Sequence, residues 1–575
     1  MGLLQDQPRR MLEERRGLTA LARAERWFEL GKWRPLDDGG LAVSFRLTIF
    51  AKTFDGVLGY PGFFPDTPAY IEPRTKGESW SSHQYGNGRG VLCLEYGPDN
   101  WHPSVTGVDL LLSLKKLLTN EVVAEALKTR ANTSSRHEEG LGARLRFEFF
   151  RFVLTRELQN LCRGAIDGAT VPIRVRMDLV GGSMRAIVTH WGDDGTPLTN
   201  LPAELDELGL QREGWVVCDS RLARAPKAAK ADLMRRYLDR IGRWPSDVPL
   251  PEGESRGLVL LSPGGTPRFF LVSGGAERSL TEYALADFSS DDARRLPSEF
   301  ADIGEAPVAV VGLGSVGSKV AVSLARSGVR RFVLIDDDVV APQNLVRHQL
   351  SWRGVGAHKV DAIEAELKLV APGVSVAAKQ WRVGGQENPK VAAEVLELLS
   401  GCRLVVDATA GARVFTTLAA VCRRAGSIMV WGELFPGGGG GLMARSRPSL
   451  DGDALSVRNH INASLAELPP APDKRARSYD DAENGAVAVA GDADVSALAA
   501  SMTQFALDAL LPAAQSQYPF AAYLMGYKKY WVFEQPFVTL PIDCSGACEP
   551  NDPERPLTEE ERDALAKFAS MVGKA

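Results

Sequence analysis

Two groups of residues, about two hundred positions apart, have the composition and spacing of reactive sites. The first surrounds a thiol: His83-Gln-Tyr-Gly-Asn-Gly-Arg-Gly-Val-Leu-Cys93-Leu-Glu, followed by Trp101-His-Pro103. A cysteine so placed can accept an acyl group by thioester exchange and hand it to an amine, for which exposure matters more than a neighbouring base. A lone cysteine is more often a small buried apolar residue, and it is the pattern around Cys93 that favours chemistry. The second group is Val310-Val-Gly312-Leu-Gly314-Ser-Val-Gly317, then Asp336-Asp-Asp338, Asn344, Arg347, Lys359 and Asp407. Its glycines let backbone approach a phosphate and present a helix N-terminus to the phosphate charge. Glycines alone are compatible with any dinucleotide enzyme, and Asp336 fits the ribose of NAD as well as that of ATP.

These groups need several folded elements to hold them. A chain of 575 residues is too long for one core and points to three or four domains. With 45% hydrophobic residues and 24% charged residues it is globular through most of its length. The formal net charge of -5 makes no case for nucleic acid or an acidic membrane as partner. Seven scattered cysteines form no disulfide framework, so a reducing, cytoplasmic setting is expected. No signal-peptide pattern opens the chain, and no apolar run approaches the ~18 residues of a membrane span.

The periodicity predicts a helix over 8–31 with Leu18, Leu21, Ala22 and Phe28 on one face, and a half-buried strand at Leu41, Val43, Phe45, Leu47 and Ile49. Pro61, Pro65 and Pro68 mark an extended loop, and residues 108–118 are apolar at helical spacing. Cys93 therefore falls in irregular chain between strands and a helix. This order, with Tyr60-Pro-Gly-Phe-Phe-Pro-Asp-Thr-Pro68 and the in-register spacing of His83, Gly90, Cys93, Trp101, Pro103 and Thr106, resembles the ubiquitin-conjugating enzyme fold over about residues 8–130. The resemblance implies Cys93 as the thioester residue. In one respect the chain departs from it: the family's His-Pro-Asn reads His83-Gln84-Tyr85, so either Asn87 or the Tyr85 hydroxyl stands in at the oxyanion, or Asn87 is a turn residue before Gly88.

In the second group, Pro307 to Val311 reads as a buried strand, the glycines as a turn opening a helix, and residues 332–335 as the next strand. Asp336-Asp-Asp338-Val-Val-Ala-Pro-Gln-Asn344-Leu-Val-Arg347, Gly356-Ala-His-Lys359 and Val405-Val-Asp407-Ala-Thr409 resemble the ubiquitin-activating and sulfur-carrier-adenylating (ThiF) family. The resemblance implies a Rossmann-like adenylation domain that uses ATP and Mg2+. Gly312, Gly314 and Gly317 would cradle phosphate, Asp336 would take the ribose, Asp338 would be a further cofactor-binding residue, Asn344, Arg347 and Lys359 would meet phosphates, and Asp407 would hold the metal. A dehydrogenase has no need of an Arg and a Lys aimed at the same phosphates. Attack of a carboxylate on an α-phosphate does, because negative charge builds there.

Elsewhere the sequence is less specific. Residues 131–300 show strand-like runs at 171–179, 257–261 and 269–272 and a helical run at 228–241, read as a mixed α/β spacer in which Cys162 and Cys218 are core residues. The family's paired Cys-x-x-Cys zinc motifs are missing, and Cys544-Ser-Gly-Ala-Cys548 has the wrong spacing, so no structural zinc is expected. The Gly437–Gly441 run and the 451–494 segment read as a mobile loop at about 436–494. With no cysteine between 422 and 544, the acyl group either passes directly to Cys93, or uses Cys544 or Cys548, or uses a serine such as Ser478. An engineered replacement at Gly485-Ala486-Val487-Ala488 is a further option. Thr558-x-x-Glu561 is a capping box ahead of Leu565, Phe568 and Met571, read as a docking helix.

The expected architecture is an α/β and α+β multidomain chain. It comprises a ubiquitin-conjugating-like α+β domain (1–130), a mixed α/β spacer (131–300) and a ThiF-type adenylation domain (301–575). Conjugating followed by activating domain resembles bacterial fusions of ubiquitin-like conjugation operons, including those of antiphage cyclic-oligonucleotide signalling (CBASS). The donor implied is a ubiquitin-like protein or a nucleotidyltransferase C-terminus, the acceptors are protein lysines, and a homodimer is expected. Two other classes stay open: a sulfur-carrier adenylating enzyme of cofactor biosynthesis, and a non-catalytic adaptor that binds a ubiquitin-like protein.

Overall fold

The computed structural model describes residues 2–81, 83–84, 90–126, 140–199, 201–202, 205, 209–226, 231–244, 250–275, 278–289, 296–300, 303–386, 388–470, 490–548 and 558–572. The chain divides into two compact units, Met1–Gly140 and Leu141–Ala575. Among the described residues no helix is long and apolar enough to cross a membrane.

The first unit opens with α1 (Leu3–Asp6) and α2 (Pro8–Ala24), followed by an antiparallel sheet of β1 (Phe28–Pro35), β2 (Leu41–Ile49), β3 (Lys52–Tyr60) and β4 (Tyr70–Pro73) in sequential order, and by α3 (Gly107–Ala126). The expected helix over 8–31 stops at Ala24, and Phe28 is a strand residue whose Cα pairs with Leu47. Alternation in β2 buries Val43, Phe45 and Leu47 against Leu18, Leu110, Leu114 and Leu118 of the helices. One buried carboxylate ties these elements. Glu14 accepts from the Tyr60 hydroxyl (2.9 Å), the Gly107 N–H (2.8 Å) and Arg10 Nε (3.1 Å). Burial pushes the Glu14 carboxyl up from its usual range, and those three donors oppose the shift.

In the second unit, α4 (Leu141–Arg144), β5 (Phe150–Leu154), α5 (Arg156–Gly164), β6 (Thr170–Val180), β7 (Ser183–Trp191), the two-residue β8 (Thr196–Pro197), β9 (Leu210–Cys218), α6 (Ala231–Arg240), β10 (Ser255–Leu261), β11 (Arg268–Ser273) and β12 (Ser279–Asp287) come first. Their strands run β5-β12-β11-β10-β9-β6-β7, and β5 also pairs with β7. Seven strands therefore close into a barrel, with α4, α5 and α6 in the same stretch of chain. Alternation sends Val216, Val259 and Phe269 into one core and their neighbours Val217, Leu258 and Phe270 into another with Met234 and Leu238 of α6. Cys162 and Cys218 are buried in the first, as expected, and burial pushes the Cys162 thiol up to about 12.

The remaining elements are β13 (Pro307–Val311), α7 (Ser315–Arg326), β14 (Arg331–Ile335), α8 (Lys359–Val370), β15 (Ser375–Lys379), α9 (Pro389–Ser400), β16 (Leu404–Asp407), α10 (Ala412–Ala425), β17 (Ile428–Leu434), β18 (Gly440–Ser446), α11 (Ala454–Ala466), α12 (Asp492–Leu510), β19 (Ala522–Gly526), β20 (Val538–Ile542) and α13 (Glu559–Val572). The sheet order is β15-β14-β13-β16-β17-β18-β19-β20, parallel as far as β17 and antiparallel beyond it. Val308 and Val310 face Val320, Val360 and Phe505, whereas Ala309 and Val311 face Leu399, Phe415 and Val457, so helices cover both faces of the parallel strands.

Two further expectations are corrected. Within the expected mobile loop, β18 and the Pro436–Gly438 turn are ordered, and α11 is capped by Asp453, which accepts from Leu455 N–H and Ser456 N–H. Gly438 has φ +67° and lies against Asp494, and Gly440 lies against the Met525 carbonyl: the glycines give room for close packing rather than freedom. The capping box of α13 forms as read, with Thr558 N–H donating to Glu561 (2.8 Å) and Glu561 N–H to Thr558 Oγ (3.3 Å). Of the face expected to dock, Leu565 and Phe568 are 55% and 63% exposed.

Candidate active site

Three adjacent parallel strands, β14, β13 and β16, deliver their carboxyl ends to one edge. Because β14 and β15 lie to one side of β13 and β16 and β17 to the other, this edge is the topological switch point, where α/β sheets bind ligands. The glycine turn follows β13. Gly312 takes φ +84°, and a Cβ there would meet Thr409 Cγ2 at 2.7 Å, so a side chain is excluded twice. A Cβ on Gly317 would collide with the Gly312 carbonyl, which is why α7 can pack so near the strand. Gly314 differs. Its φ is -69°, a Cβ there would meet nothing within 4 Å, and it caps α7 without a side chain for the first-turn N–H groups. An open space in front of a bare helix N-terminus suits an anionic group.

Asp336 follows β14 directly. One carboxylate oxygen accepts from Leu313 N–H (2.6 Å) and the other from Asp338 N–H (2.8 Å), so the residue read as a ribose ligand also holds the glycine turn. Lys359, at the start of α8 and 7% exposed, places Nζ 2.6 Å from Asp338 and 4.0 Å from Asp336. Asp338 thus belongs to the site as the partner of Lys359. Asn344 Oδ1 accepts from Ala341 N–H (2.9 Å) and caps the Pro342–Val346 turn, a structural role besides the expected phosphate contact. Arg347 is half-buried at the end of that turn.

The next residue, His348, was not anticipated. It is buried, its Nε2 lies 2.8 Å from the Leu313 carbonyl, and Nδ1 accepts from Leu350 N–H (3.2 Å). Burial pushes its pKa down. Nothing in its immediate sequence marks the contact, which spans 35 positions.

Asp407 is the last residue of β16 and 3% exposed. Its Oδ1 accepts from Thr409 N–H (3.0 Å) and Thr409 Oγ (2.7 Å). Burial pushes the carboxyl up, opposed by the Thr409 bonds and by Arg458. It borders a small cavity with Gly411, Trp431, Glu433, Arg458 and Asn462. A buried carboxylate whose charge is disfavoured suits a bound cation. Among the described residues no three His, Cys, Asp or Glu side chains converge on a metal position. Mg2+ held by one carboxylate, water and substrate phosphates needs no such cage.

In the first unit Cys93 is partly exposed and its N–H donates to the His83 carbonyl (2.8 Å). Gln84 staples the same segment: its amide donates to the Glu78 and Gly90 carbonyls (2.9 and 2.8 Å) and accepts from Trp80 N–H (2.9 Å). Asn87, Tyr85, Ser478 and the 485–488 segment lie outside the described residues, as does the side chain of Cys548. Cys544 is buried with its thiol pushed up to about 11 by burial, the setting of a core cysteine rather than an acyl relay.

Residues 283–490 match the ThiF family. The uncharacterized protein y4oA of Sinorhizobium fredii is 32% identical over 218 residues, 36% of this chain and 37% of that protein. The ATP-dependent ubiquitin transferase-like protein Cap2 of Pseudomonas aeruginosa is 35% identical over 75 residues, 12% of this chain and 14% of that protein. The chain thus spans well under half the length of either. Among solved structures, MccB of E. coli covers 45% of this chain and 70% of its own at 16% identity, with a TM-score of 0.34, too slight a likeness to bear on the site. The second unit therefore contains a ThiF-type adenylation domain.

Proposed function

We propose that the second unit uses ATP and Mg2+ to adenylate the C-terminal carboxylate of a donor protein, and that the first unit, read as a conjugating module, carries the acyl group on Cys93 for transfer to a lysine amine. The single observation behind this reading is that the glycine turn, Asp336 and Asp407 lie at the carboxyl ends of adjacent parallel strands, with Lys359 of α8 beside Asp336. A donor carboxylate oxygen attacks the α-phosphorus, the bond to the bridging oxygen breaks, and pyrophosphate leaves. In this scheme the α7 N-terminus and Lys359 offset the charge that develops on the phosphates, with Asn344 and Arg347 assisting, and Asp407 holds the metal. When bound, Mg2+ would neutralise phosphate charge.

The thiolate of Cys93 then attacks the acyl-adenylate carbonyl and AMP leaves; an amine next attacks the thioester and releases the thiol. The name of the Cap2 relative, an ATP-dependent ubiquitin transferase-like protein, favours a ubiquitin-like donor; a nucleotidyltransferase C-terminus as the other donor, a role in antiphage defence and a homodimeric enzyme are further parts of this proposal.

Intact-mass and non-reducing gel analysis with ATP, Mg2+ and donors from neighbouring genes tests this. The expected result is an ATP-dependent, thiol-sensitive adduct that Cys93→Ala removes and Asp407→Ala abolishes. Pyrophosphate release with no adduct on Cys93 would favour the sulfur-carrier enzyme instead.

A further inference from the structure

The peptide groups on either side of Leu313 are gripped at both ends. Its N–H donates to Asp336 Oδ2 (2.6 Å), and its carbonyl lies 2.8 Å from Nε2 of His348. Because Leu350 N–H donates to Nδ1, that nitrogen is an acceptor and Nε2 carries the proton, which fixes the neutral tautomer. The next residue in the chain is also anchored, Gln349 N–H donating to Ser318 Oγ on α7 (3.3 Å). In a planar trans peptide the C=O and the following N–H point in opposite directions. Drawing the Leu313 carbonyl toward His348 therefore turns the Gly314 N–H the other way.

We propose that His348 is a positioning residue of the nucleotide site: as a neutral imidazole it clamps the Leu313 carbonyl and thereby aims the Gly314 N–H at the ligand's phosphates. The identity of that ligand rests on the adenylation reading; the clamp itself does not. Protonation leaves Nε2–H on the Leu313 carbonyl, a bond that favours the charged ring, but sets a hydrogen on Nδ1 against the Leu350 N–H, so the ring loses the anchor that holds it in place and the clamp loosens on the acid side. The charged groups that act on the ring are Lys359 on α8, Lys319 on α7 and Asp336 after β14. The two lysines favour the neutral form and the aspartate opposes it, while burial is the largest influence and also favours neutrality. Stability from the neutral ring is present above its unfolded value of about 6.5 and is lost as pH falls.

The test compares the full-length wild type with His348→Leu and His348→Gln. Deuterium uptake of the peptide spanning residues 312–318, measured without nucleotide, reads the clamp; Mg-ATP affinity titrated from about pH 5 to 8 reads its use. His348→Leu is expected to speed uptake and to weaken ATP roughly five- to tenfold at about pH 8, the net worth of one hydrogen bond, with the difference from the wild type shrinking toward acid. His348→Gln, whose amide can both donate to Leu313 and accept from Leu350, is expected to restore both readouts and to remove the acid-side loss seen in the wild type. Unchanged uptake in His348→Leu, or an acid-side loss that persists in His348→Gln, overturns the proposal. A wild type that binds no ATP sinks the adenylation reading, and uptake alone then decides the clamp.

Discussion

The glycines of the turn make a prediction that separates folding from ligand binding. At Gly312, alanine must adopt φ +84°, a left-handed backbone that costs roughly 1–2 kcal/mol. Its Cβ also lies 2.7 Å from Thr409 Cγ2 and 3.1 Å from the 408–409 backbone where ordinary contact begins at 3.4 Å, so the methyl must give by about 0.7 Å and the backbone by about 0.3 Å. Overpacking of this kind costs about 1–3 kcal/mol, giving about 2–5 kcal/mol in all. At Gly314, φ is -69° and the new methyl meets nothing within 4 Å, so the only structural cost is replacement of a tolerated N-cap residue, at most about 1 kcal/mol. The methyl does stand in the space before the α7 N-terminus. Urea unfolding and Mg-ATP calorimetry on both variants are the assays. Gly312→Ala is expected to lower the unfolding midpoint clearly, whereas Gly314→Ala unfolds near wild type yet loses ATP affinity by about tenfold or more, equivalent to about 1.4 kcal/mol. Gly314→Ala binding ATP as the wild type does would refute the placement of phosphate at this helix end.

Three other substitutions probe separate parts of the second unit. Arg445, fully buried, donates to Asp508 (2.6 Å) and to the Tyr518 carbonyl, so Arg445→Met leaves Asp508 buried without its cation and is expected to cost about 3–5 kcal/mol in urea unfolding, with part recovered in Arg445→Met/Asp508→Asn; a neutral single variant contradicts this. Because burial raises the Asp407 pKa, stability from its neutral form is present below the unfolded value of about 3.9 and is lost as pH rises through the folded one. Asp407→Asn, which keeps an acceptor for Thr409, is therefore expected to raise the unfolding midpoint at pH about 7, with the gain shrinking toward acid, while ATP-dependent adduct formation disappears; a lowered neutral midpoint refutes the burial argument. Cys544→Ala is expected to leave the thiol-sensitive adduct intact in mass spectra, and loss of the adduct would restore Cys544 as a relay.

Much of the local framework of the candidate site was legible because its signals are local. A glycine turn after an apolar strand, an aspartate at the next strand end and an aspartate closing Leu404-Val-Val-Asp407 each lie within a few residues of the strand that positions them. The strand at Leu41–Ile49, the cap at Thr558 and Glu561 and the core setting of Cys162 and Cys218 were legible for the same reason. The double role of Asp336, as holder of the glycine turn 23 positions away, was not.

Short-range patterning determined where turns must bend, where strands alternate and where helices begin, because those depend on φ restrictions, two- and 3.6-residue periods and unsatisfied end groups. Only the tertiary structure decided which distant groups meet. Barrel closure pairs β5 with both β7 and β12, His348 reaches back to Leu313, and Glu14 gathers Tyr60 and Gly107 from across the first unit. It also showed that Gly438 and Gly440 accommodate packing and that Leu565 and Phe568 remain exposed. Contacts of this kind carry no periodic signature, since the free energy that selects them comes from burial and hydrogen bonding between segments that the chain brings together only on folding.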